Sequence, residues 1–474
     1  MEKILIDTKD NHLRVALIVN FAQNVAPNNI TAHNVGDRIS VEILERWAKD
    51  ERIRKAGNVV VLVTPLLASL AEGVKSQNGE ACAIRIPRPN EEERIERWEY
   101  NRSLNGVQFD KDLGSELLGR ITNGLSLKQI DGIYLLAKEQ RVAITLGLIK
   151  EKKQEILETE FGDRLKVKCP KWGLDYFGGK EYLKRWGKEI NDNIVRGTWR
   201  RVPMGVIASG PPGTGKTFFF ECLAFECGFN FVEITNPRSM WVGQSEEIQE
   251  KIFAALDDLS PVIVVEDEAD QSETSRDAPS GDSGVSNRLR QMKFKFTSDP
   301  ARRGKVVWVR ISNRPDLIDS AYKREGRSDD TIPFLMPNAD EYADIFKVMF
   351  ARYEIQTDIK DFALFAKTVA AKYYCTGASV EWMVLEADKY AGRDGADKVK
   401  DKHLEMALSD WEMKNNPQEV DRQIMLAIEG SSKRLRPDNW EEVLRDVKSR
   451  LYGEQVSEQS LAIFPGLEKR KVSV

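Results

Sequence analysis

The pattern of hydrophobic and polar residues divides the first part of the chain into strand-like and helix-like stretches. Residues 13–21 and 58–64 are short runs of β-branched and other apolar residues, which is typical of buried parallel strands. Between them, residues 41–55 repeat apolar side chains at helical spacing. This alternation predicts an α/β layer within residues 1–130.

The middle and second part of the chain show the same two kinds of pattern. Residues 131–171 indicate mostly helix, including a charged stretch at 150–160 that is typical of a solvated helical connector. Strands and helices alternate again over residues 172–350, whereas 351–415 indicate helix alone. The stretch 271–286 is rich in Ser, Asp and Gly and predicts a mobile loop.

A phosphate-binding motif is the clearest chemical signal in the sequence. Residues 210–217, GPPGTGKT, fit G-x-x-x-x-G-K-[ST] and lie between a predicted strand and a predicted helix. The glycines let the backbone curl around phosphate oxygens, and the helix N-terminus adds partial positive charge. Lys216 is expected to contact the β- and γ-phosphates, and the Thr217 hydroxyl to ligate Mg²⁺. The other candidate nucleotide contacts here are Pro212, Gly213, Thr214, Gly215 and Phe218.

A second apolar run ends in acidic residues. Residues 261–265 lead directly into Glu266, Asp267 and Glu268, which places these carboxylates at the carboxyl edge of a parallel sheet, beside the phosphate loop. Asp267 would hold the Mg²⁺ and Glu268 would polarise the attacking water. Three consecutive acids also permit a shifted register, in which Glu266 and Asp267 take those two roles.

Residues 172–415 resemble the AAA family of ATPases. The segment LDYFGG at 174–179 resembles the opening segment of the family, whose backbone touches adenine, and implies nucleotide contacts at Phe177 and Gly178. The sequence DEAD at 267–270 resembles the D-E-x-D ending of the family, which favours Asp267 and Glu268 as the functional pair. The resemblance implies a P-loop parallel sheet followed by a helical lid.

Three further motifs of the family follow in the expected order. The segment ISNRPD at 311–316 resembles T-N-R-P-D and implies that Asn313 orients the attacking water. Arg324 and Arg327 lie in REGR, which resembles R-x-G-R, whose arginines reach the site of the neighbouring subunit. Gly377 and Ala378 resemble the lid motif that closes over the nucleotide. This resemblance implies a homo-oligomeric ring, most often a hexamer.

One segment concerns a possible protein substrate. Residues 239–246, SMWVGQSE, resemble the first pore loop of AAA protein remodellers, which implies that Trp241, with Met240 beside it, grips an extended polypeptide. Alternatively, Trp241 packs against its own domain. The chain departs from the family at Glu266, where an apolar residue is usual, and at Ser379, where Asp is usual. Neither departure removes a catalytic group.

The first part of the chain resembles a degenerate copy of the same module. Residues 1–130 lack a phosphate loop, but they follow the order of an AAA module entered partway, including a P-x-P-N-E-E-E-R turn at 87–94 and a lid-like stretch after 124–126. The arrangement resembles the AAA proteins of cyanobacteria and plastids in which a degenerate half precedes the active one. Asn20 occupies the place of a catalytic carboxylate, so this half is expected to bind a partner or stack the ring without hydrolysis.

Composition narrows the classes of function. The 71 basic and 75 acidic residues give a net charge of −4, which argues against a protein that coats DNA. Five scattered cysteines and three histidines disfavour a structural zinc site and indicate reduced, mostly buried thiols. No apolar run approaches the length of about 20 residues that spans a bilayer, and the first residues lack a signal-peptide pattern, so the expected location is cytoplasmic.

These observations together predict a five-part chain. The parts are a degenerate α/β domain (1–130), a helical connector (131–171), a large α/β ATPase subdomain (172–350), a helical lid (351–415) and a helical tail (416–474). The predicted function is that of a ring-forming ATPase that uses ATP and Mg²⁺ to remodel or unfold a protein. Alternatives are a nucleic-acid loader, for which the basic stretch 288–296 is the candidate, and an ATP-dependent switch or scaffold.

Overall fold

A computed structural model describes most of the chain. The described residues are 5–6, 14–28, 35–65, 67–75, 81–111, 113–162, 165–234, 246–272, 283–372, 374–413 and 416–452. Contacts between residues divide the chain into two compact units, one formed by 1–88 with 244–258 and the other by 89–243 with 259–474. Within the described residues, no helix is both long and apolar enough to cross a membrane.

The first unit contains a small parallel sheet. Its elements are β1 (Ala16–Val19), α1 (Val35–Lys49), α2 (Glu51–Ala56), β2 (Val59–Leu62) and α9 (Glu246–Asp258). The two helices are separate because the Asp50 side chain accepts a hydrogen bond from the backbone N–H of Arg52 and so begins a new helix. Gly57, at φ 71°, ends α2 in the left-handed conformation.

The two strands of this unit are parallel, as predicted, but they are not buried. Ile18 is 60% exposed and Val61 is 40% exposed, and these two residues are paired in the register of the sheet. Along both strands exposed positions alternate with half-buried ones. The prediction of buried strands is therefore wrong, because β-branched runs look alike whether one face of a sheet or both faces are covered.

A helical segment follows at the start of the second unit. Its helices are α3 (Glu91–Ser103), α4 (Ser115–Ile121), α5 (Leu127–Gln140) and α6 (Leu146–Phe161). They share a core that contains Trp98 and Ile130, both with no exposed surface. Asn90 and Glu93 form a reciprocal capping box at the start of α3. The stretch 150–160 is helical, as predicted, but it is not wholly solvated, because Lys153 is buried.

The central sheet of the second unit has six strands. They are β3 (Lys166–Lys168), β4 (Gly205–Ser209), β5 (Asn230–Ile234), β6 (Val262–Glu266), β7 (Val306–Ser312) and β8 (Asp330–Pro333). The order across the sheet is β3-β5-β6-β7-β4-β8, and all neighbours are parallel except β3 and β5. Every residue of β4, β6 and β7 is buried, in agreement with their mostly apolar sequences, and the buried residues include the charged Glu266 of β6 and Arg310 of β7.

Helices pack on this sheet and enclose an aromatic core. The helices around the aromatic core are α7 (Glu181–Val195) and α8 (Lys216–Cys227), whereas α10 (Ala269–Ser272) and α11 (Ser283–Thr297) pack in a separate small cluster with Ile207 of β4. The ring centroid of Phe219 lies 5.3 Å from that of Phe220 and 5.7 Å from that of Phe334. Most of the predicted loop at 271–286 lies outside the described residues, although α10 and α11 occupy its two ends.

The described residues of the last part of the chain are mostly helical, and residues 453–474 of the predicted tail lie outside the described residues. Helices α12 (Ala339–Arg352), α13 (Ala363–Ala371), α14 (Gly377–Arg393) and α15 (Asp401–Asp410) enclose a core of their own and are together called the lid. Helix α12 crosses the predicted lid boundary at residue 351, because its apolar face packs into that core. Asn338 and Glu341 begin α12 with the same capping box that begins α3. Two further helices, α16 (Pro417–Gly430) and α17 (Trp440–Tyr452), pack against Leu335 beside the end of β8.

Candidate active site

The phosphate loop forms the turn between β4 and α8, at the carboxyl edge of the sheet. Three of its glycines have a positive φ angle: Gly210 at 146°, Gly213 at 76° and Gly215 at 85°. A side chain at Gly210 would meet the carbonyl oxygen of Phe334 at 2.1 Å, so only glycine fits there. The turn leads directly into the N-terminus of α8, where backbone N–H groups lack helical partners and attract anions.

Lys216 is buried at the start of α8 and contacts three oxygen atoms. Its Nζ donates hydrogen bonds to Gly210 O at 2.7 Å, to Pro211 O at 2.8 Å and to Asn313 Oδ1 at 2.8 Å. Burial lowers the pKa of Lys216 to about 8, although the carboxylates of Asp267 and Asp270 act in the opposite direction. An ammonium held among oxygens inside the loop is suited to exchange them for phosphate oxygens.

The turn after β6 carries the carboxylates of the site. Thr217 Oγ1 lies 3.4 Å from Asp267 Oδ2, and Asp267 Oδ1 accepts a hydrogen bond of 2.9 Å from the backbone N–H of Glu268. Glu268 is exposed and has a φ angle of 51°, an uncommon value for a residue other than glycine. A hydroxyl and a carboxylate oxygen at this separation are a ligand pair that one Mg²⁺ can share, so these residues fit the ion that the motif implies.

A cavity of about 450 Å³ joins these groups to the helical lid. That volume is within the usual range for small-molecule sites. The predicted residues that line it are Phe177, Gly178, Pro212, Gly213, Thr214, Gly215, Lys216, Thr217, Phe218, Asp267, Glu268, Asn313, Gly377 and Ala378. The backbone N–H of Ala378 donates a hydrogen bond of 3.2 Å to Gly213 O, which connects the lid directly to the phosphate loop.

Three protein-family models match this chain. The model described as the ATPase family associated with various cellular activities (AAA) matches residues 206–335. Models for the second helical domain and the N-terminal Rossmann-like domain of AAA+ chaperones match residues 92–162 and 1–87. Together these matches span more than half of the 474 residues. The chain carries an AAA ATPase domain together with the two AAA+ chaperone domains.

Two proteasome-activating nucleotidases and a protein named SAV are among the proteins similar to this chain. The chain is 26% identical over 291 residues to a proteasome-activating nucleotidase of Methanococcus maripaludis (strain C6), an alignment that covers 59% of this chain and 69% of that protein. A proteasome-activating nucleotidase of Methanococcus vannielii is 27% identical, with 59% and 68% covered. Protein SAV of Sulfolobus acidocaldarius is 32% identical over 229 residues, which cover 47% of this chain and 29% of that protein.

The two chaperone models confirm the predicted relationship of the N-terminal half to AAA proteins. The predicted boundary at residue 130 stays a prediction, because the matched segments divide between residues 87 and 92. A capping box at Ser126 and Gln129 begins α5, and a similar box at Thr376 and Ser379 begins the lid helix α14. In the AAA lid, Ser379 thus serves as a capping residue in place of the usual Asp.

Several lining residues of this AAA site were not predicted from the sequence. They are Tyr176, Lys180, Ile311, Pro337, Ile345, Val348, Met349, Arg352 and Glu381. Ile345, Met349 and Arg352 lie on one face of α12, so the helical spacing of the lid could have indicated them. The Arg352 guanidinium lies 4.1 Å from the centroid of the Phe218 ring and links the lid to the start of α8.

The structure does not bring every predicted residue to this AAA site. Arg324 is exposed, and Arg327 Nη1 donates a hydrogen bond of 2.8 Å to Ala321 O, so neither residue lines the cavity of its own chain. Their predicted action on a neighbouring subunit stays a prediction. Met240 and Trp241, the predicted pore residues, lie outside the described residues.

Glu266, the unusual acid of this AAA chain, points away from the cavity and is fully buried. Its carboxylate accepts hydrogen bonds from Lys293 Nζ at 2.7 Å and from Trp308 Nε1 at 3.0 Å. Burial alone would raise the pKa of Glu266, but the charges of Lys293 and Arg310 and these hydrogen bonds lower it below its ordinary value. Asp267 and Glu268, rather than Glu266, line the cavity, which disfavours the shifted register.

Proposed function

We propose that this chain hydrolyses ATP with Mg²⁺ in a ring-shaped homo-oligomer, a hexamer, and uses the reaction to remodel or unfold a protein substrate. The observation that carries the proposal is the convergence of Lys216, Asp267, Glu268 and Asn313 on one cavity beside the phosphate loop. Each of these groups lies at the carboxyl end of a parallel strand or at the helix start that follows one.

The side chains divide the reaction between them. Glu268, exposed at the cavity, accepts the proton of a water molecule that attacks the γ-phosphorus, while the bond from that phosphorus to the β–γ bridging oxygen breaks. ADP and phosphate are the products. Asn313 offers a side-chain amide that orients the water, and Lys216 offers positive charge to the phosphates. Thr217 and Asp267 would hold Mg²⁺, which neutralises phosphate charge when it is bound.

The proposal of a ring rests on two arginines that one chain does not bring to its own cavity. Charge builds on the γ-phosphate oxygens during transfer, and an arginine that stabilises it contributes about 10³–10⁵ in rate. Arg324 and Arg327 have the motif for this role, but they do not reach the cavity of their own chain. An adjacent copy of the chain can supply them across a head-to-tail interface, which closes into a ring.

A protein substrate is supported by the relatives and by the family models that match this chain. The relatives include proteins named proteasome-activating nucleotidases, and the AAA+ chaperone models match the first part of the chain. A nucleic-acid loader is less well supported. In its candidate stretch, 288–296, Leu289, Lys293 and Phe296 are buried, and Lys293 is paired with Glu266. Lys293 is therefore not available to a phosphate backbone.

The direct test is ATP turnover per subunit over a wide range of protein concentrations, with Glu268→Gln as the blank. We expect turnover to rise steeply with concentration and to vanish when EDTA removes Mg²⁺. A flat, measurable rate would mean a preformed oligomer or a site complete in one chain, and the mass in solution would decide between them. Turnover no higher than the blank at any concentration would contradict the proposal.

A second test separates protein threading from a slow switch. Substitution Trp241→Ala removes the aromatic side chain of the predicted pore loop and leaves the residues that line the nucleotide cavity unchanged. A threading ATPase keeps its basal turnover and loses the unfolding of a tagged fluorescent protein substrate. If the variant unfolds that substrate as fast as the unmodified protein does, Trp241 does not grip polypeptide and the switch is favoured.

A further inference from the structure

Four side chains form a buried polar cluster behind the catalytic turn. These residues, Glu266, Lys293, Trp308 and Arg310, are here called the Glu266 cluster. Glu266 contacts Lys293 Nζ at 2.7 Å through Oε1, and its Oε2 lies 4.0 Å from Arg310 Nε. Glu266 is the last residue of β6, so the cluster begins one peptide bond from Asp267.

The Glu266 cluster buries three charged side chains, which carries a large desolvation penalty. The remaining residues of β6 are Val or Ile, and an apolar residue in place of Glu266 would need neither Lys293 nor Arg310. A buried ion pair is commonly no more stabilising than well-packed apolar side chains of similar volume, whereas breaking it leaves an uncompensated charge. Stability alone therefore does not account for three charged side chains at this position.

Arg310 extends the cluster towards the segment that carries Arg327. Its Nη1 lies 3.4 Å from both Arg327 O and Ser328 Oγ, and its guanidinium lies 4.4 Å from the Tyr322 ring centroid. Within the described residues, Arg310 Nε and Nη2 have no hydrogen-bond partner. The only carboxylate that the described structure pairs with this guanidinium is that of Glu266.

A second contact joins the cluster to the same segment. The Arg327 guanidinium lies 4.1 Å from the ring centroid of Phe294, the residue that follows Lys293 on α11. The Phe294 ring in turn lies 4.6 Å from the Tyr322 ring. Arg310 thus contacts the backbone of Arg327, and α11 contacts its side chain. Arg310 and Lys293 of α11 both lie beside the carboxylate of Glu266, which therefore links the two contacts.

We propose that Glu266 is a positioning residue that acts through Arg310 to hold Arg327 in place for the active site of the neighbouring subunit. This inference rests on the proposed function, in which Arg327 acts across the ring. Neutral glutamine at position 266 would leave Lys293 and Arg310 as two like charges in a buried space, so Arg310 would move away and its contact with the Arg327 backbone would be lost.

The test uses pairs of defective subunits that are co-expressed in equal amounts. Arg327→Ala damages the site of the neighbour, whereas Glu268→Gln damages the site of its own chain. Each site takes its two halves from different subunits, so this control pair should recover about a quarter of the unmodified turnover. Glu266→Gln alone is expected to lower kcat by about tenfold or more, which is part of the ~10³–10⁵ that such an arginine contributes.

The two informative pairs give opposite results for the two ways in which Glu266 could act. If Glu266 positions Arg327, Glu266→Gln recovers turnover with Glu268→Gln and fails to recover it with Arg327→Ala. The reverse pattern would mean that Glu266 acts on its own Asp267 and Glu268, and it would overturn the inference. Recovery in both pairs, or in neither, would overturn it as well, provided that the control pair recovers.

Two further results complete the test. If Glu266→Gln does not fold, Arg310→Lys replaces it, because lysine keeps the buried charge but is too short to contact both Glu266 and the Arg327 backbone; the same pattern of recovery is expected. If the control pair of Arg327→Ala and Glu268→Gln fails to recover, Arg327 does not act across subunits. That result would reject the ring part of the proposed function and the inference with it.

Discussion

Lys216 Nζ donates a hydrogen bond of 2.8 Å to Asn313 Oδ1, which joins the phosphate loop to the end of β7. The two residues are 97 positions apart in sequence and meet because β4 and β7 are parallel neighbours whose carboxyl ends coincide at Ser209 and Ser312. A phosphate group that enters the loop competes with Asn313 for the lysine. Nucleotide binding is therefore expected to release the Asn313 amide towards the attacking water.

The first prediction concerns Asn313. Substitution Asn313→Ala should lower ATP turnover by about 10²-fold, since it removes a polar group that is already in place before the reaction, while ATP remains bound. Turnover and the affinity for a non-hydrolysable analogue would be measured side by side. Asn191→Ala on α7 is the matched control, because the Asn191 side-chain oxygen has no hydrogen-bond partner in the described structure and the residue does not line the cavity. Equal turnover in both variants would contradict the assigned role.

The second prediction concerns pH. Because burial lowers the pKa of Lys216 to about 8, the lysine of the nucleotide-free protein is charged below that pH and neutral above it. Bound phosphates favour the charged form, so binding above pH 8 must take up a proton. The dissociation constant for a non-hydrolysable ATP analogue should then rise by up to about tenfold per pH unit.

The measurement is a titration of that analogue at pH 7.5, 8.5 and 9.5. Lys216→Arg is the control, because a guanidinium remains charged throughout this range. The variant is expected to bind more weakly at every pH but with little dependence on pH. If the unmodified protein binds equally well at pH 7.5 and 9.5, Lys216 is charged over the whole range.

Most of the residues that line the cavity could be predicted because they occur in short motifs, several of them at the ends of strands. The phosphate loop and Asp267 follow apolar runs, and parallel strands bring such ends to one edge of a sheet. Glu381 could not be predicted in this way, because it reaches the cavity only through the packing of the lid. The departure at Glu266 was visible in the sequence, but its partners Lys293 and Arg310 lie on elements distant in sequence.

One strand of the central sheet could not be predicted from the sequence either. Strand β3 was missed within the predicted helical connector because its three residues, Lys-Val-Lys, form no apolar run. It forms at the sheet edge, where Lys166 and Lys168 both contact the carboxylate of Glu233 on β5, at 3.2 Å and 2.7 Å. Such cross-strand ion pairs depend on register, which hydrophobic periodicity does not report.

The third prediction concerns the close approach of the lid to the opening segment of the ATPase domain. A side chain at Gly178 would lie 2.6 Å from the Cα of Ile345 on α12. Because this contact is with the backbone, the helix itself would have to shift, and such overpacking costs about 1–3 kcal/mol. Gly178→Ala should therefore lower both the melting temperature and the affinity for ATP.

Gly392→Ala is the matched control for this change. Gly392 lies in the lid helix α14, and a side chain there would meet nothing within 4 Å. Alanine also has a higher helix propensity than glycine, so this variant should be at least as stable as the unmodified protein. Thermal unfolding and binding of a fluorescent ATP analogue would be compared. Unchanged ATP affinity in Gly178→Ala would show that α12 can move without cost to the site.

The fourth prediction concerns the helices after the lid. Met425 on α16 is 2% exposed and packs with Leu335 and Val447, whereas Met406 on the lid helix α15 is 45% exposed. The same change to alanine should therefore cost about 2–5 kcal/mol at Met425 and no more than about 0.5 kcal/mol at Met406. Hydrogen exchange of peptides from residues 417–452 would measure the loss locally, because a chain with several compact parts need not unfold in one step.

The same substitution is expected to affect the edge of the sheet near the phosphate loop, because α16 packs beside β8. Leu335 follows β8 and packs with α16, and β8 is the direct neighbour of β4, whose last residue precedes the phosphate loop. If α16 and α17 support that edge of the sheet, Met425→Ala should also accelerate exchange in β8, and Met406→Ala should not. Faster exchange confined to residues 417–452 would mean that these two helices open independently of the sheet. Equal effects of the two substitutions would contradict the packing of α16 described above.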